Sequence, residues 1–102
     1  MSPPKFTVRL LRIAENDLAE IVAYITAERP SAAVGQLTRI EKTLGLLRKN
    51  PYLGKLPNDE YLLKLGYRCL IMDDYLAFYT VEGQTVFVHR IIHGARDYHA
   101  LF

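Results

Sequence analysis

Two helical stripes with almost nothing between them constrain this chain more than any other feature. Leu18, Ile21, Val22 and Ile25 fall at i, i+3, i+4 and i+7 within AENDLAEIVAYITAER, residues 14–29, the spacing of one apolar face on an α-helix. Leu37, Ile40, Leu44 and Leu47 repeat at steps of three, four and three within SAAVGQLTRIEKTLGLLRKN. Pro30 stops the first run, Ser31 is placed to cap the second, and Asn50-Pro51 closes it. Helices joined this closely form an antiparallel hairpin. Neither buries its stripe alone, so each needs the other and a sheet.

The remaining segments supply that sheet. KFTVRLL (5–11) alternates Phe6, Val8 and Leu10 against Thr7 and Arg9, a strand pattern. PYLGKLPNDE (51–60) reads as a loop, marked by Pro51, Gly54 and Pro57. Strand signals then come quickly: YLLKL up to Gly66, YRCLIM up to Asp73-Asp74, YLAFYTV up to Glu82-Gly83, and TVFVHRII up to Gly94. Dense aromatic and β-branched residues with short connections predict an antiparallel meander. The expected fold class is α+β: a two-helix N-terminal hairpin on one face of a small antiparallel sheet with a mixed edge. Residues 1–102 form a single domain. Neither parity of the strands is wholly polar, so alternation does not say which part of the other face is open.

Composition narrows the function classes. Half of the 102 residues are apolar, enough for one modest core. No apolar run spans a bilayer, and MSPPKFTVRLL lacks a signal-peptide core. The one cysteine, Cys69, sits in an apolar run as a small hydrophobe and fits a reducing cytoplasm. Net charge is only +2, yet residues 36–55 gather Arg39, Lys42, Arg48, Lys49 and Lys55 against Glu41 alone. A solvated helix face, with cations near the C-terminus where the macrodipole favours them, accounts for that bias.

The chain ends HRIIHGARDYHALF (89–102), which holds all three histidines. His89 and His93 share i, i+4 spacing, but on a strand that is ~13 Å, too far for one metal ion. No glycine-rich phosphate loop or G-x-S-x-G is present, and the only serines are Ser2 and Ser31. Arginine, histidine, tyrosine and lysine remain, a set that suits an anionic target. Cleaving RNA needs a base for the 2′-hydroxyl, an acid for the leaving 5′-oxygen and cations around the transition state. His93, Arg96, Tyr98 and His99 cluster in sequence, and Arg68 is expected to face them across a strand. Structural roles compete: terminal histidines are more often exposed or structural than catalytic. Asp97 suits a salt bridge to Arg68 or Arg90, and Tyr67, Tyr75, Tyr79, Phe78 and Phe87 suit core or cross-strand pairs.

The pieces ENDLAEIVAYI, LLRKNPYLGKL, LLKLGYRCLIMDDYLAFYTV and VFVHRIIHGARDY, in that order across residues 5–99, resemble the RelE/ParE superfamily, the toxins of bacterial type II toxin–antitoxin modules. The resemblance implies the α+β fold inferred above and a growth-arresting toxin of the cytoplasm. It also implies a cognate antitoxin that wraps the toxin and supplies any operator-DNA binding, with no cofactor and no metal. Two targets follow from it. The favoured expectation is a metal-independent mRNA endonuclease acting on the ribosome. There Arg68 and Arg96 bind phosphate, His93, Tyr98 and His99 divide the acid and base roles, and Lys55, Lys64 and Arg90 contact RNA. The alternative is inhibition of DNA gyrase without nuclease chemistry, and a third is an inactive relative that only binds its antitoxin. One departure weighs against the nuclease: Lys55 and Lys64 are the only lysines in the loop and second strand.

Overall fold

The computed structural model describes residues 5–95 and 101–102. Strand β1 (Thr7–Leu10) leads into helix α1 (Arg12–Glu28), and helix α2 (Ala33–Gly45) continues as a 3-10 turn over Leu46–Arg48. Pro30 acts as predicted. The helix ends before it, and Arg29 donates its N–H to the Ile25 carbonyl at 2.8 Å. Ser31 does not cap α2: the residue before the helix is Ala32, already helical in backbone and without a side-chain cap. A turn in which Ala32 N–H bonds the Arg29 carbonyl (3.0 Å) feeds the helix directly, so Ser31 lies one residue too early to reach its first amides.

The segment YLLKL is a helix, not a strand. Asp59 accepts a hydrogen bond from the Leu62 N–H at 3.0 Å and starts helix α3 (Glu60–Lys64), with Glu60 in its first turn. Gly66, at φ 84, ends it in the left-handed conformation that glycine adopts without strain. Local capping outweighs the alternation of Tyr61, Leu63 and Leu65, which stay exposed while Leu62 is buried.

Strands β2 (Arg68–Met72), β3 (Tyr75–Glu82) and β4 (Thr85–His93) form the predicted meander. The sheet order is β1-β4-β3-β2, with β1 parallel to β4 and the other pairs antiparallel. That parallel strand is the mixed edge. One irregularity matters for function: Phe78 faces Arg90 while Tyr79 faces Val88, so His89 is an extra residue in β4, a β-bulge.

The main core lies between the helices and one sheet face. Ile21 and Ile25 of α1 and Ile40, Leu44 and Leu47 of the second stripe meet Leu70, Met72, Tyr75, Ala77, Tyr79, Val86, Val88 and Ile91. Each fully buried aliphatic or aromatic side chain there contributes about 1.5–3 kcal/mol of transfer free energy. The opposite face is partly covered. Leu62 of α3 packs on Phe78 and Ile92, flanked by Tyr67, Cys69, Leu76, Leu101 and Phe102.

Candidate functional site

Arg68 opens β2, opposite Tyr79 of β3. Its guanidinium does not stand free. It donates to the carbonyls of Gly54 (3.0 Å) and Tyr52 (3.3 Å), and its Cζ lies 5.1 Å from the centre of the Tyr52 ring. The Gly54 N–H in turn donates to the buried Tyr79 hydroxyl at 2.8 Å. Burial raises the Tyr79 phenol above its ordinary pKa, and the Gly54 N–H and Arg68 pull against that. Lys55 then pairs with Cys69 through two backbone bonds of 2.8 Å. Arg68 is thus the clamp that holds the loop 51–56 against the β2 edge. It brings exposed Tyr52 and exposed Lys55 beside itself. The Cys69 thiol, half-buried there, is pushed up to about 11 by desolvation, opposed by Lys55. It is not a thiolate nucleophile at neutral pH.

A second cluster forms where β1 runs out. β1 covers only Thr85–Val88 of β4, and Leu11 N–H takes the Val88 carbonyl as the chain turns into α1. Past that point Asp17 of α1 replaces the missing strand. Its carboxylate accepts from the Ile91 N–H (3.0 Å), from Arg90 Nε (2.7 Å) and from Arg90 Nη2 (3.0 Å). Both side chains are nearly buried, at 13% and 11% exposure. Arg90 was expected to contact RNA or to tether Asp97. It instead secures α1 to the sheet, and its guanidinium is turned away from solvent. The sequence carries a signal for this: Asp17 stands four residues before Ile21, an acid on the apolar stripe of α1.

Beside this pair an open cleft of about 320 Å³ is bounded by Asp17, Glu20, Tyr24, Tyr75, Ile91 and His93. His93, at the end of β4, faces Tyr75 edge-on, ring centres 5.4 Å apart. Its Nδ1 accepts from the Ala95 N–H at 3.1 Å, which leaves Nε2 to carry the proton of the neutral ring.

His89 went unassigned in the sequence. Following core-facing Val88, it points to the α3 side of the sheet, where its Nδ1 meets the Tyr67 hydroxyl (3.1 Å) and its Nε2 meets Thr80 Oγ1 (2.9 Å). Burial lowers its pKa, and Glu82 partly counters this. His93 lines the cleft against α1, so the two histidines serve opposite faces. Among the described residues no group of three His, Cys, Asp or Glu side chains is placed to hold a metal ion.

The sequence expectation joined Arg68 to His93. On β3 their partners are Tyr79 and Tyr75, four residues apart, with β3 lying between the two strands. At ~3.3 Å per residue and ~4.8 Å per strand, their backbones are roughly 16 Å apart. The structure does not bring them to one phosphate. Lys64 lies exposed in the last turn of α3. Arg96, Asp97, Tyr98 and His99 lie outside the described residues.

A helical hairpin on a four-stranded mixed sheet is also the fold of chains solved in toxin–antitoxin systems. A family model for the ParE toxin of type II toxin–antitoxin systems matches residues 8–98, and the chain belongs to that family. Solved structures agree on the fold. A chain of the chromosomal ParDE system from P. aeruginosa superposes with a TM-score of 0.70 at 20% identity, covering 86% of this chain and 95% of that one. A chain of the RelBE2 toxin–antitoxin complex of Mycobacterium tuberculosis gives 0.59 at 24% identity, covering 87% and 98%. A conserved hypothetical protein of Helicobacter pylori gives 0.51 at 16% identity, covering 95% and 99%. No curated protein sequence matches. No helix among the described residues is long and apolar enough to cross a membrane.

Proposed function

We propose that this toxin arrests growth by binding and inhibiting DNA gyrase in the cytoplasm, and that a cognate antitoxin neutralises it. The observation carrying this reading is the commitment of Arg68 to the Tyr52 and Gly54 carbonyls, far along the sheet from His93. A phosphate-cutting site needs its cations and its acid–base pair within hydrogen-bond reach of one phosphodiester. Among the described residues Arg68 and His93 supply no such pair, and Arg90 is occupied by Asp17. Binding a protein target makes no such demand. The exposed side chains of Tyr52, Lys55 and His93 are open to such a partner.

The experiment pairs two assays on the purified full chain. Gyrase supercoiling should fall as toxin is added and recover when antitoxin is supplied. Primer extension on mRNA from a translating extract should show no new ends. Unchanged supercoiling at excess toxin, together with cut message, would replace this reading with the ribosome-dependent nuclease. Arg96, Tyr98 and His99 would then be the first residues to substitute.

A further inference from the structure

We infer that the end of α2 carries a second binding site, for the phosphate backbone of a nucleic acid, separate from the β4 cleft and the Arg68 loop. Lys5, Arg48 and Lys49 converge on one open depression of about 300 Å³, completed by Gly45 and Leu46. The cations come from two separate segments. Lys5 precedes β1, whereas Arg48 and Lys49 follow α2, and the Phe6 N–H binds the Arg48 carbonyl at 2.8 Å to hold the segments together. Cations at a helix C-terminus are ordinarily explained by the macrodipole. That explains Arg48 and Lys49 but not Lys5, which is on no helix.

Two further observations favour a ligand. The ion pairs among the described residues are Arg39–Asp73 and Arg90–Asp17, and neither holds Lys5, Arg48 or Lys49. Gly45 has an ordinary helical φ of −62, and a Cβ built on it meets nothing within 4 Å. Neither backbone geometry nor packing requires glycine there, and glycine lowers helix stability. What its missing side chain does is leave the depression open. Leu46, 55% exposed at the rim, offers an apolar surface for a sugar.

Long cationic side chains around an open depression, without fixed acceptors to read an edge, suit a phosphodiester backbone without base selectivity. Three contacts of this kind give a salt slope of about −2.7 on duplex DNA and about −2.1 on a single strand. A toxin holding nucleic acid itself would be concentrated where its target works. The inference stands apart from the gyrase reading, since it concerns the other end of the hairpin and is read by direct binding.

The test is fluorescence anisotropy of labelled duplex DNA, single-stranded DNA and RNA, titrated with the full chain across a salt series. The parent should bind at low salt, with the slope above telling duplex from single strand. Lys5→Glu, Arg48→Glu and Lys49→Glu together should weaken binding at least tenfold and flatten the slope by two or more, with unchanged circular dichroism (about −0.9 per lost duplex contact). Gly45→Glu, which improves helix propensity, should weaken binding while the chain melts no lower than the parent. A charge-matched control, Arg12→Glu, Arg29→Glu and Lys42→Glu, should keep most of the affinity. Absence of binding at low salt, equal loss in the control, or equal competition by polyglutamate would overturn the site.

Discussion

The carboxylate of Asp17 does the work of a missing strand: it holds Arg90 by two hydrogen bonds of 2.7 and 3.0 Å and takes the Ile91 N–H that β1 is too short to reach. One side chain thereby satisfies a sheet edge, neutralises a nearly buried guanidinium and fixes the first helix on β4. Breaking a buried pair by removing one partner typically costs about 3–5 kcal/mol, because the other charge is left without compensation. Asp17→Ala should therefore lose about 3 kcal/mol in urea unfolding and approach an unfolded state at growth temperature. Asp17→Leu combined with Arg90→Met should lose much less than the sum of the single changes. Additive losses in that double-mutant cycle would show that the pair contributes no coupling.

Gly54 offers a sharper steric test. A Cβ there would stand 2.8 Å from the ring and hydroxyl of the fully buried Tyr79 and 2.9 Å from the Cys69 carbonyl, which is held by the Lys55 N–H. Overpacking of this kind costs about 1–3 kcal/mol. Gly54→Ala should lower the unfolding midpoint by that amount. It should also loosen the Arg68 clamp, so Tyr52 becomes more accessible to solvent quenchers. Tyr79→Phe should cost about 1–3 kcal/mol, the penalty of leaving the buried Gly54 N–H unsatisfied. A Gly54→Ala variant as stable as the parent would mean that the loop does not sit where Arg68 holds it.

Much of this fold was legible because it is written in local periods. The stripes Leu18–Ile25 and Leu37–Leu47 gave the hairpin, and the runs between Asp73-Asp74 and Glu82-Gly83 gave the meander. The failures came where a tertiary or capping effect overrode the period. YLLKL alternates like a strand, yet the Asp59 cap makes it a helix. One extra residue at His89 reverses the face of half of β4, and no alternation rule reveals a bulge. The candidate site was harder still. Arg68 and His93 are on the expected strands, but their distance depends on register, which is set by turns and packing rather than by residue type. Arg90 has a chemistry that fits RNA equally well until Asp17, 73 positions earlier, is seen beside it.

The half-buried His89 makes stability depend on pH. Desolvation holds its pKa below the ordinary imidazole value, with Glu82 opposing. The unfolded chain, at about 6.5, therefore binds this proton at a higher pH than the folded one does. The contribution is complete above that unfolded value and is lost as pH falls through the window down to the folded pKa. Urea midpoints should drop between neutral and mildly acidic pH, and His89→Gln should remove part of that slope. A variant with the same pH profile as the parent would show that His89 is not the group responsible.

Phe102 closes the far side of the same cluster. Its ring stands 5.0 Å from Tyr67 and 5.2 Å from Phe78, both edge-on, while Tyr67 in turn touches His89 at 4.8 Å between ring centres. Such aromatic pairs contribute about 0.5–1.5 kcal/mol each beyond area burial. Phe102→Ala should thus cost about 1–3 kcal/mol. It should also admit water beside Tyr67 and His89, so the His89 pKa, followed by NMR titration of its ring protons, should move up toward the ordinary value. Residues 96–100 lie between His93 and this anchor in sequence, so toxicity should fall further in Phe102→Ala than in an exposed α3 variant of matched stability, such as Leu63→Asn. Equal toxicity at equal stability would separate the anchor from the action of the tail.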